Sequence, residues 1–461
     1  MVEIEAALAD LVGIDHVLTG DRISDDYGHD EALSVTPARP AAVVRPASTA
    51  EVSAVLRLAS AHGIPVTARG SGTGLSGAAV PQPGGVVISF ERMNAILEID
   101  TANHVAVVQA GVTLAQLDEA ATAYGLTYPV YPGELSGSLG GNVATNAGGM
   151  RAVRYGVTRS QVLGLQVALP TGEVIRTGGK LAKASTGYDL TQLIVGSEGT
   201  LALITEVTLR LYPRPPHQAC VLAPYRTVDE VARAVPKVVA SGVGPSILEY
   251  LDALTLAAIT HANQLELGVA AEIRDSAQAY LLVMLESTHA DRLETDIERL
   301  GELLTELGAI EVYVLPGPSA RRLIEAREKT FWTSKAAGAN DIVDVVIPRA
   351  EIAEFLRVVK EIAHRHSSYV LGCGHAGDGN VHLAVFQADD EVRSALLREL
   401  FEAGMKLGGL ISGEHGVGRC KKRYFLELTD PVTIELMRRI KFAFDPAGIL
   451  NPGVLLDPLT A

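Results

Sequence analysis

A glycine-rich loop at residues 69–77 places the strongest constraint on the fold. It follows a predicted strand and holds Gly72, Gly74 and Gly77 at the G-x-G-x-x-G spacing of dinucleotide-binding folds. In those folds the loop opens a helix, but residues 78–85 contain two prolines and two glycines and cannot form one. The N–H groups of such a loop can still bind an anion. The sequence therefore predicts a phosphate-binding loop outside a Rossmann fold, with a purely structural turn as the alternative.

Local patterns before this loop predict a strand, a helix and a strand. Ser48 starts a capping-box spacing, and Gly63 ends the helix predicted over 50–61. Short apolar runs at 42–44 and 65–67 flank that helix and predict strands.

A second loop, at residues 132–149, is also rich in glycine and other small residues. Small residues let the backbone approach an extended ligand, and Ser138, Asn142 and Thr145 add polar groups. Two loops of this kind predict a cofactor longer than one phosphate.

Composition limits the classes of partner. A chain of 461 residues exceeds one ordinary core, which predicts two domains. Its net charge of −15 disfavours nucleic acid and requires a local cation for any small anionic substrate. No apolar run approaches the ~18 residues of a membrane span, and the acidic first six residues do not resemble a signal peptide. Because Cys220, Cys373 and Cys420 are an odd set that suits a reducing compartment, we predict a soluble, cytoplasmic protein.

The pattern changes after the prolines at 213–216, where we predict a domain boundary. Strand-like runs at 280–285 and 312–315 flank a helical stripe formed by Leu293, Ile297, Leu300, Leu304 and Leu307. The alternation continues to residue 386 and predicts an antiparallel sheet covered by helices. The predicted fold class is α+β.

Two glycine-rich segments near the C-terminus carry histidine and glutamate. His375 and His382 lie on either side of an Asp-Gly pair, and Glu414 directly precedes His415. Histidine and carboxylate bind borderline divalent metals, and three protein ligands leave positions open for a substrate. The alternative is that the Asp-Gly pair forms a hairpin turn and the histidines only flank it.

The order of these segments resembles the FAD-linked oxidases of the vanillyl-alcohol oxidase and p-cresol methylhydroxylase type. The branch of D-lactate dehydrogenases, D-2-hydroxyglutarate dehydrogenases and the glycolate oxidase D-subunit is most similar. The matching segments are residues 70–77, 140–155, 187–190, 196–200, 374–382, 412–418 and 450–453. The resemblance implies a two-part FAD-binding domain at 1–213, an α+β cap domain at 214–410 with a metal site, and a segment at 411–461 that returns to the flavin.

The same resemblance implies the residues that bind FAD. The pyrophosphate would lie on the first loop, and the rest of the cofactor would lie along the second loop and three later segments. These residues are Gly70, Ser71, Gly72, Thr73, Gly74, Ser76, Pro132, Gly133, Ser138, Gly141, Asn142, Thr145, Glu198, Gly199, Ile204 and Asn451. Relatives that attach FAD covalently often carry histidine in the phosphate loop, whereas this chain has Thr73, so we expect non-covalent FAD.

The resemblance also implies the chemistry of the C-terminal histidines. His375, His382 and Glu414 would bind a divalent metal, Zn or Mn, and His415 would act as the base beside the flavin. Arg327 and Asn380 would bind the substrate. For Arg327 the alternative is a surface salt bridge with a neighbouring glutamate.

The substrate inferred from this resemblance is a D-2-hydroxy acid that is oxidised to the 2-oxo acid. Hydroxyglutarate enzymes use a threonine and a lysine at positions where this chain has Phe331 and approximately Ile342. This difference favours a D-lactate-like or longer monocarboxylate. D-2-hydroxyglutarate dehydrogenase and a glycolate oxidase subunit are the alternatives.

Two other functions are compatible with the sequence. The rivals are a non-redox enzyme of the alkyl-glycerone-phosphate synthase type and a non-catalytic FAD- or metal-binding subunit. A dehydrogenase would need an electron acceptor, which could be an electron-transfer protein, a cytochrome or a quinone. The oligomeric state stays open and is compatible with a homodimer.

Overall fold

The computed structural model describes residues 2–458 and begins with two sheets that carry the glycine-rich loops. The four-stranded sheet has the order β1-β2-β4-β3 and consists of β1 (Val17–Thr19), β2 (Ala42–Val44), β3 (Val66–Arg69) and β4 (Val86–Ser89). In it, β2 and β3 run parallel to β4. The antiparallel five-stranded sheet has the order β5-β6-β10-β8-β9, with β5 (Ile96–Asp100), β6 (Val105–Gln109), β8 (Val162–Ala168), β9 (Val174–Gly178) and β10 (Leu203–Arg210). A two-stranded sheet pairs β7 (Leu126–Thr127) with β11 (Tyr212–Pro213).

Seven helices belong to this part of the described chain. They are α1 (Val2–Val12), α2 (Thr49–His62), α3 (Leu114–Thr122), α4 (Leu139–Thr145), α5 (Ala152–Tyr155), α6 (Thr158–Gln161) and α7 (Leu190–Ile194). Helix α2 confirms the predicted helix, because the Ser48 side chain accepts a hydrogen bond from the N–H of Glu51 and Gly63 ends the helix in the left-handed region. Helix α4 differs from the loop predicted over 132–149.

A seven-stranded antiparallel sheet forms the centre of the second part. Its order is β15-β12-β14-β13-β17-β18-β16. The strands are β12 (His217–Tyr225), β13 (Ile247–Asp252), β14 (Ala279–Ser287), β15 (Tyr313–Leu315), β16 (Asp341–Val346), β17 (Tyr369–His375) and β18 (Asn380–Phe386).

Helices cover both faces of this sheet. They are α8 (Val228–Ala240), α9 (Ala253–Ala262), α10 (Ala271–Ser276), α11 (Ala290–Glu306), α12 (Gly317–Glu328), α13 (Thr330–Ala336), α14 (Ile352–Arg365) and α15 (Asp390–Lys406), followed by α16 (Lys422–Leu428) and α17 (Pro431–Phe444). Along β14, Leu281 and Val283 pack into one core, whereas Tyr280 and Leu282 pack into the other. This two-residue alternation confirms the predicted α+β class with a helix-covered antiparallel sheet.

The apolar cores change near the predicted boundary at residue 213. The first core draws on residues 8–211 together with Ile449 and Leu450. Apart from Met150, the two cores of the seven-stranded sheet draw on buried residues after position 219. The predicted first segment begins at residue 1 and the predicted last segment ends at residue 461. Residue 1 and residues 459–461 lie outside the described residues.

The last segment brings the C-terminal motifs back to the first part. The N–H of Asn451 donates to the carbonyl of Val66 at the start of β3, over 2.8 Å. None of the helices within residues 2–458 combines the length and apolar character needed to cross a bilayer. Cys220, Cys373 and Cys420 are all free thiols.

Candidate active site

The two glycine-rich loops form the wall of a first cavity with a volume of about 1190 Å³. The first loop leaves β3 without opening a helix, as the sequence predicts. A Cβ atom at Gly70 would overlap the Oγ of Ser138, and the Ser71 hydroxyl donates to the carbonyl of Ser136 over 2.6 Å. The close approach of the two loops therefore requires glycine at position 70.

The structure places 15 of the 16 predicted cofactor-binding residues in the lining of this first cavity. They are Gly70, Ser71, Gly72, Thr73, Gly74, Ser76, Pro132, Ser138, Gly141, Asn142, Thr145, Glu198, Gly199, Ile204 and Asn451. Gly133 differs, because it lines a second cavity beside the first one.

A β-hairpin and a loop bring the predicted metal ligands together. His375 ends β17 and His382 lies on β18, and the short turn Ala376–Asp378 joins these strands. The Nε2 atoms of His375 and His382 both lie close to Oε1 of Glu414, at 3.0 and 3.1 Å. The hairpin turn and the histidine cluster are therefore both present, rather than being alternatives.

A buried glutamate that the sequence analysis missed holds two of the predicted site residues. Glu249 on β13 is fully buried. Its Oε1 lies 2.6 Å from Nδ1 of His375, and its Oε2 lies 2.6 Å from Nη2 of Arg327. A carboxylate on Nδ1 is the usual partner of a metal-binding histidine, because it fixes the tautomer and leaves Nε2 to the metal. A charged residue within the apolar run Ile247–Leu251 was the available signal.

Asp344 on β16 organises the turn that carries Glu414 and His415. Its Oδ2 accepts hydrogen bonds from the N–H groups of Gly413, Glu414 and His415 over 3.1, 3.1 and 2.8 Å. The Ser412 hydroxyl donates to the same oxygen over 2.7 Å. This buried aspartate therefore fixes the turn through its main chain.

Asn380, which was predicted to bind substrate, lies beside Asp344. The Nδ2 of Asn380 donates to Oδ1 of Asp344 over 2.8 Å and to the carbonyl of Val345 over 3.1 Å. Asn380 is not among the described residues that line either cavity. Its amide N–H groups therefore support Asp344, and a role in substrate binding stays a prediction.

The first part of the chain holds the same turn from the other side. The Ser76 hydroxyl donates to the carbonyls of His415 and Gly416 over 2.6 and 2.9 Å. The Glu198 carboxylate accepts hydrogen bonds from the N–H groups of Val417 and Gly418 over 2.9 and 2.8 Å. Burial raises the pKa of Glu198 to about 7, in spite of these two donors. Ser76 of the first loop and Glu198 thus hold the turn that carries Glu414 and His415.

His415 is a half-buried imidazole, with 14% of its side chain exposed, between the two parts of the site. Its ring stacks on that of His382 with a centroid distance of 5.1 Å and an interplanar angle of 19°. Burial lowers the pKa of His415 to about 4, although the Asp344 carboxylate acts in the opposite direction. The ring is therefore neutral at neutral pH, which is the state needed to accept a proton.

Two groups of three side chains have the spacing of metal ligands. In the first group, the potential ligand atoms of His375, His382 and Glu414 lie within 4.8 Å of one another. The second group consists of Asp344, His382 and His415, so His382 belongs to both groups. Because both oxygens of Asp344 already accept hydrogen bonds from the protein, the first group is the better cation site.

Charge within the first group also fits a cation. The carboxylates of Glu249 and Glu414 raise the pKa of His375 to about 10, although its burial has the opposite effect. Two histidine nitrogens meet a single carboxylate oxygen, an arrangement that histidine N–H groups or a bound cation can satisfy. Among the described residues, the donor set thus suits a divalent metal.

The second cavity has a volume of about 980 Å³ and holds Arg327 in its lining. Arg327 is buried and paired with Glu249, so it is not the surface salt bridge considered as the alternative. Within residues 2–458 its buried Nε and Nη2 atoms have no partner that meets hydrogen-bond geometry. Leu75, Pro132, Glu414 and His415 line both cavities. The histidine cluster therefore lies where the two cavities meet.

Two family models and several relatives match this chain. Residues 40–178 match the family described as FAD binding domain, and residues 214–455 match FAD linked oxidases, C-terminal domain. An uncharacterized FAD-linked oxidoreductase of Mycobacterium tuberculosis is 60% identical over 455 residues, which are 99% of each chain. A D-lactate dehydrogenase of Anaerostipes hadrus is 39% identical over 459 residues, covering 95% of this chain and 94% of the relative.

A solved structure of p-cresol methylhydroxylase with substrate bound shares the fold. It superposes with a TM-score of 0.81 at 18% identity, covering 99% of this chain and 97% of the other. FAD is accordingly the cofactor of this chain, and the resemblance seen in the sequence is confirmed. The chain belongs to the FAD-linked oxidase family and is an FAD-linked oxidoreductase.

Proposed function

We propose that the protein is an FAD- and metal-dependent dehydrogenase that oxidises a D-2-hydroxy monocarboxylic acid to the 2-oxo acid. The observation that carries this proposal is the position of Glu414 and His415, which line both the FAD cavity and the second cavity. A substrate in the second cavity would thus contact the base and the cofactor together. The D configuration rests on the activity named for the Anaerostipes hadrus relative.

The metal site of this proposal consists of His375, His382 and Glu414. Two imidazole nitrogens and one carboxylate oxygen suit Zn²⁺ or Mn²⁺, and they leave coordination positions for a substrate. A bound divalent cation supplies a Lewis acid that lowers the pKa of a hydroxyl group. Glu249 holds His375 so that its Nε2 is available for this role.

The chain's own residues would bind and deprotonate the substrate. Arg327 would donate its N–H groups to the substrate carboxylate, while Glu249 keeps the guanidinium in place. His415 would take the proton of the 2-hydroxyl group as the C2–H bond breaks and the carbonyl forms. FAD supplies the acceptor for the hydrogen and the electron pair that leave C2. A separate electron-transfer protein, cytochrome or quinone would then receive the electrons.

We expect the bound FAD to be non-covalent. Thr73 lies in the wall of the first cavity at the position where covalent relatives carry histidine, and a threonine hydroxyl does not form a histidyl link. Acid precipitation of the purified yellow protein should release intact FAD into the supernatant. Flavin absorbance that stays with the protein pellet would contradict this expectation.

The proposed reaction predicts that D-2-hydroxy acids bleach the flavin when oxygen is absent. We expect loss of flavin absorbance with formation of one 2-oxo acid per reduced flavin, because the substrate is the only electron donor. A panel of D- and L-2-hydroxy acids should be mixed anaerobically with the holoenzyme and followed spectrophotometrically. If no member of the panel bleaches the flavin, the proposed function is wrong.

A further inference from the structure

An apolar recess makes up much of the second cavity away from the histidine cluster. Three of its side chains lie on α9, one on α13, and one each on β16 and β18. We define the apolar recess by Leu254, Ala258, Ile259, Phe331, Ile342 and Phe386. Such a lining favours the burial of hydrocarbon.

Three threonine hydroxyl groups beside the recess are already occupied by the protein. Thr255 donates to the carbonyl of Gly372 over 3.3 Å, and Thr333 donates to that of Lys329 over 3.3 Å. Thr330 donates to the carbonyl of Arg327 over 2.5 Å. These threonines therefore have no hydroxyl proton left for a polar group on a substrate.

The charges around the recess disfavour a second substrate carboxylate. Arg327 is the one lysine or arginine among the described residues that line this cavity, and Glu249 already neutralises it. Glu328 lines the same cavity and would repel a further anion. A second carboxylate would thus lose its hydration without gaining a cation of its own.

Apolar side chains of the recess are also exposed at the protein surface. Leu254 is 64% exposed although it lines the cavity. Trp332, which is 38% exposed, packs edge-on against Phe331 with a centroid distance of 5.2 Å. A substrate chain that extends from the histidine cluster would cover this apolar surface.

We propose that the apolar recess binds the C2 substituent of the substrate and that this substituent is an alkyl or aryl group larger than the methyl group of lactate. This inference rests on the proposed oxidation of D-2-hydroxy acids and narrows their class. The carboxylate would lie on Arg327, and the hydrocarbon would lie against α9 and α13. Each additional buried methylene should raise kcat/KM about four-fold.

The substrate series on the wild-type holoenzyme tests this directly. Anaerobic stopped-flow flavin reduction should be measured with D-lactate, D-2-hydroxyhexanoate, D-3-phenyllactate and D-2-hydroxyglutarate. We expect kcat/KM for the hexanoate and phenyl compounds to exceed that for D-lactate by more than roughly ten-fold. D-2-Hydroxyglutarate should be the poorest of the four.

A variant pair checks that the recess causes this preference. Phe331→Ala should reduce the ratio of hexanoate to lactate kcat/KM at least several-fold. Phe442→Ala is the matched control, because this phenylalanine on α17 is 58% exposed and lines neither cavity. Binding of the corresponding 2-oxo acids, followed by fluorescence of Trp332, gives the same comparison without turnover.

The outcomes separate this inference from the proposed function. If D-lactate or D-2-hydroxyglutarate matches the longer acids in kcat/KM, the recess inference is overturned while the dehydrogenase function stands. An unchanged ratio in Phe331→Ala also overturns the role of the recess. If no 2-hydroxy acid reduces the flavin, both proposals fail together.

Discussion

Replacement of His415 by asparagine is expected to lower the rate constant for flavin reduction by roughly 10²–10⁴, the usual contribution of a positioned general base. The loss should appear in the reduction rate and much less in substrate affinity, because the base acts in the transition state. Anaerobic stopped-flow measurements over a range of substrate concentrations separate these two quantities.

The variant should keep its fold and its FAD, because the protein holds the His415 turn through the main chain. Asp344 accepts the N–H of His415, and Ser76 donates to its carbonyl. Neither contact uses the imidazole. Flavin absorbance and bound metal should therefore match those of the wild type.

His364→Asn provides the matched control, since this exposed histidine on α14 is outside both cavities. It should reduce flavin at the wild-type rate. If the His415→Asn variant stays within a few-fold of the wild type, His415 is not the base and another residue must take the proton.

Much of the fold could be predicted because its signals are local. Ser48 and Gly63 mark the ends of α2 through contacts within a few residues. The two prolines after the first glycine loop exclude a helix there whatever the rest of the chain does. Helix α4 was missed because it is only seven residues long and contains two glycines, so propensity gives no signal.

The supporting carboxylates of the site could not be predicted from sequence spacing. Glu249 is 126 residues from His375, and Asp344 is 71 residues from His415. Each pair becomes adjacent only after the order of strands in the seven-stranded sheet is known. A buried charge in an apolar strand predicts that a partner exists, but it does not identify the partner.

The same limit applies to the surroundings of Asn380. Its position next to the histidine segment predicts a polar group near the substrate. Asp344, on the neighbouring strand β16, accepts the amide N–H of Asn380. Asp344 is a neighbour of Asn380 only in the folded sheet, so the sequence around Asn380 does not reveal this contact.

Removal of the metal is expected to abolish turnover while FAD stays bound. The proposed ligands His375, His382 and Glu414 are held by β17, β18 and the turn at 412–415, whereas the two glycine-rich loops would hold the cofactor. Dialysis against a chelator should thus leave the flavin spectrum intact and eliminate substrate-dependent bleaching. Zn²⁺ or Mn²⁺ should restore activity. Full activity in protein shown to be metal-free by elemental analysis would exclude the metal hypothesis.

His375→Ala should behave like the chelated enzyme, with FAD bound, little metal and no turnover. Its circular dichroism and thermal unfolding should remain those of a folded protein, because Glu249 keeps its ion pair with Arg327. His364→Ala should keep wild-type metal content. A His375→Ala variant that retains stoichiometric metal would show that the ligand set is wrong.

Glu249→Gln tests whether the Glu249 carboxylate strengthens metal binding through His375. The amide keeps the size of the side chain but removes the charge that faces Nδ1 of His375 at 2.6 Å. Loss of such a partner usually weakens metal binding 10–100-fold, and we expect a decrease of this size in a chelator competition assay. Glu286→Gln is the matched control, because Glu286 is also a buried, arginine-paired glutamate on the same sheet, 3.4 Å from Arg151. Equal metal affinity in the two variants would mean that Glu249 does not orient His375 for a metal, whereas a selective loss in Glu249→Gln is the expected result.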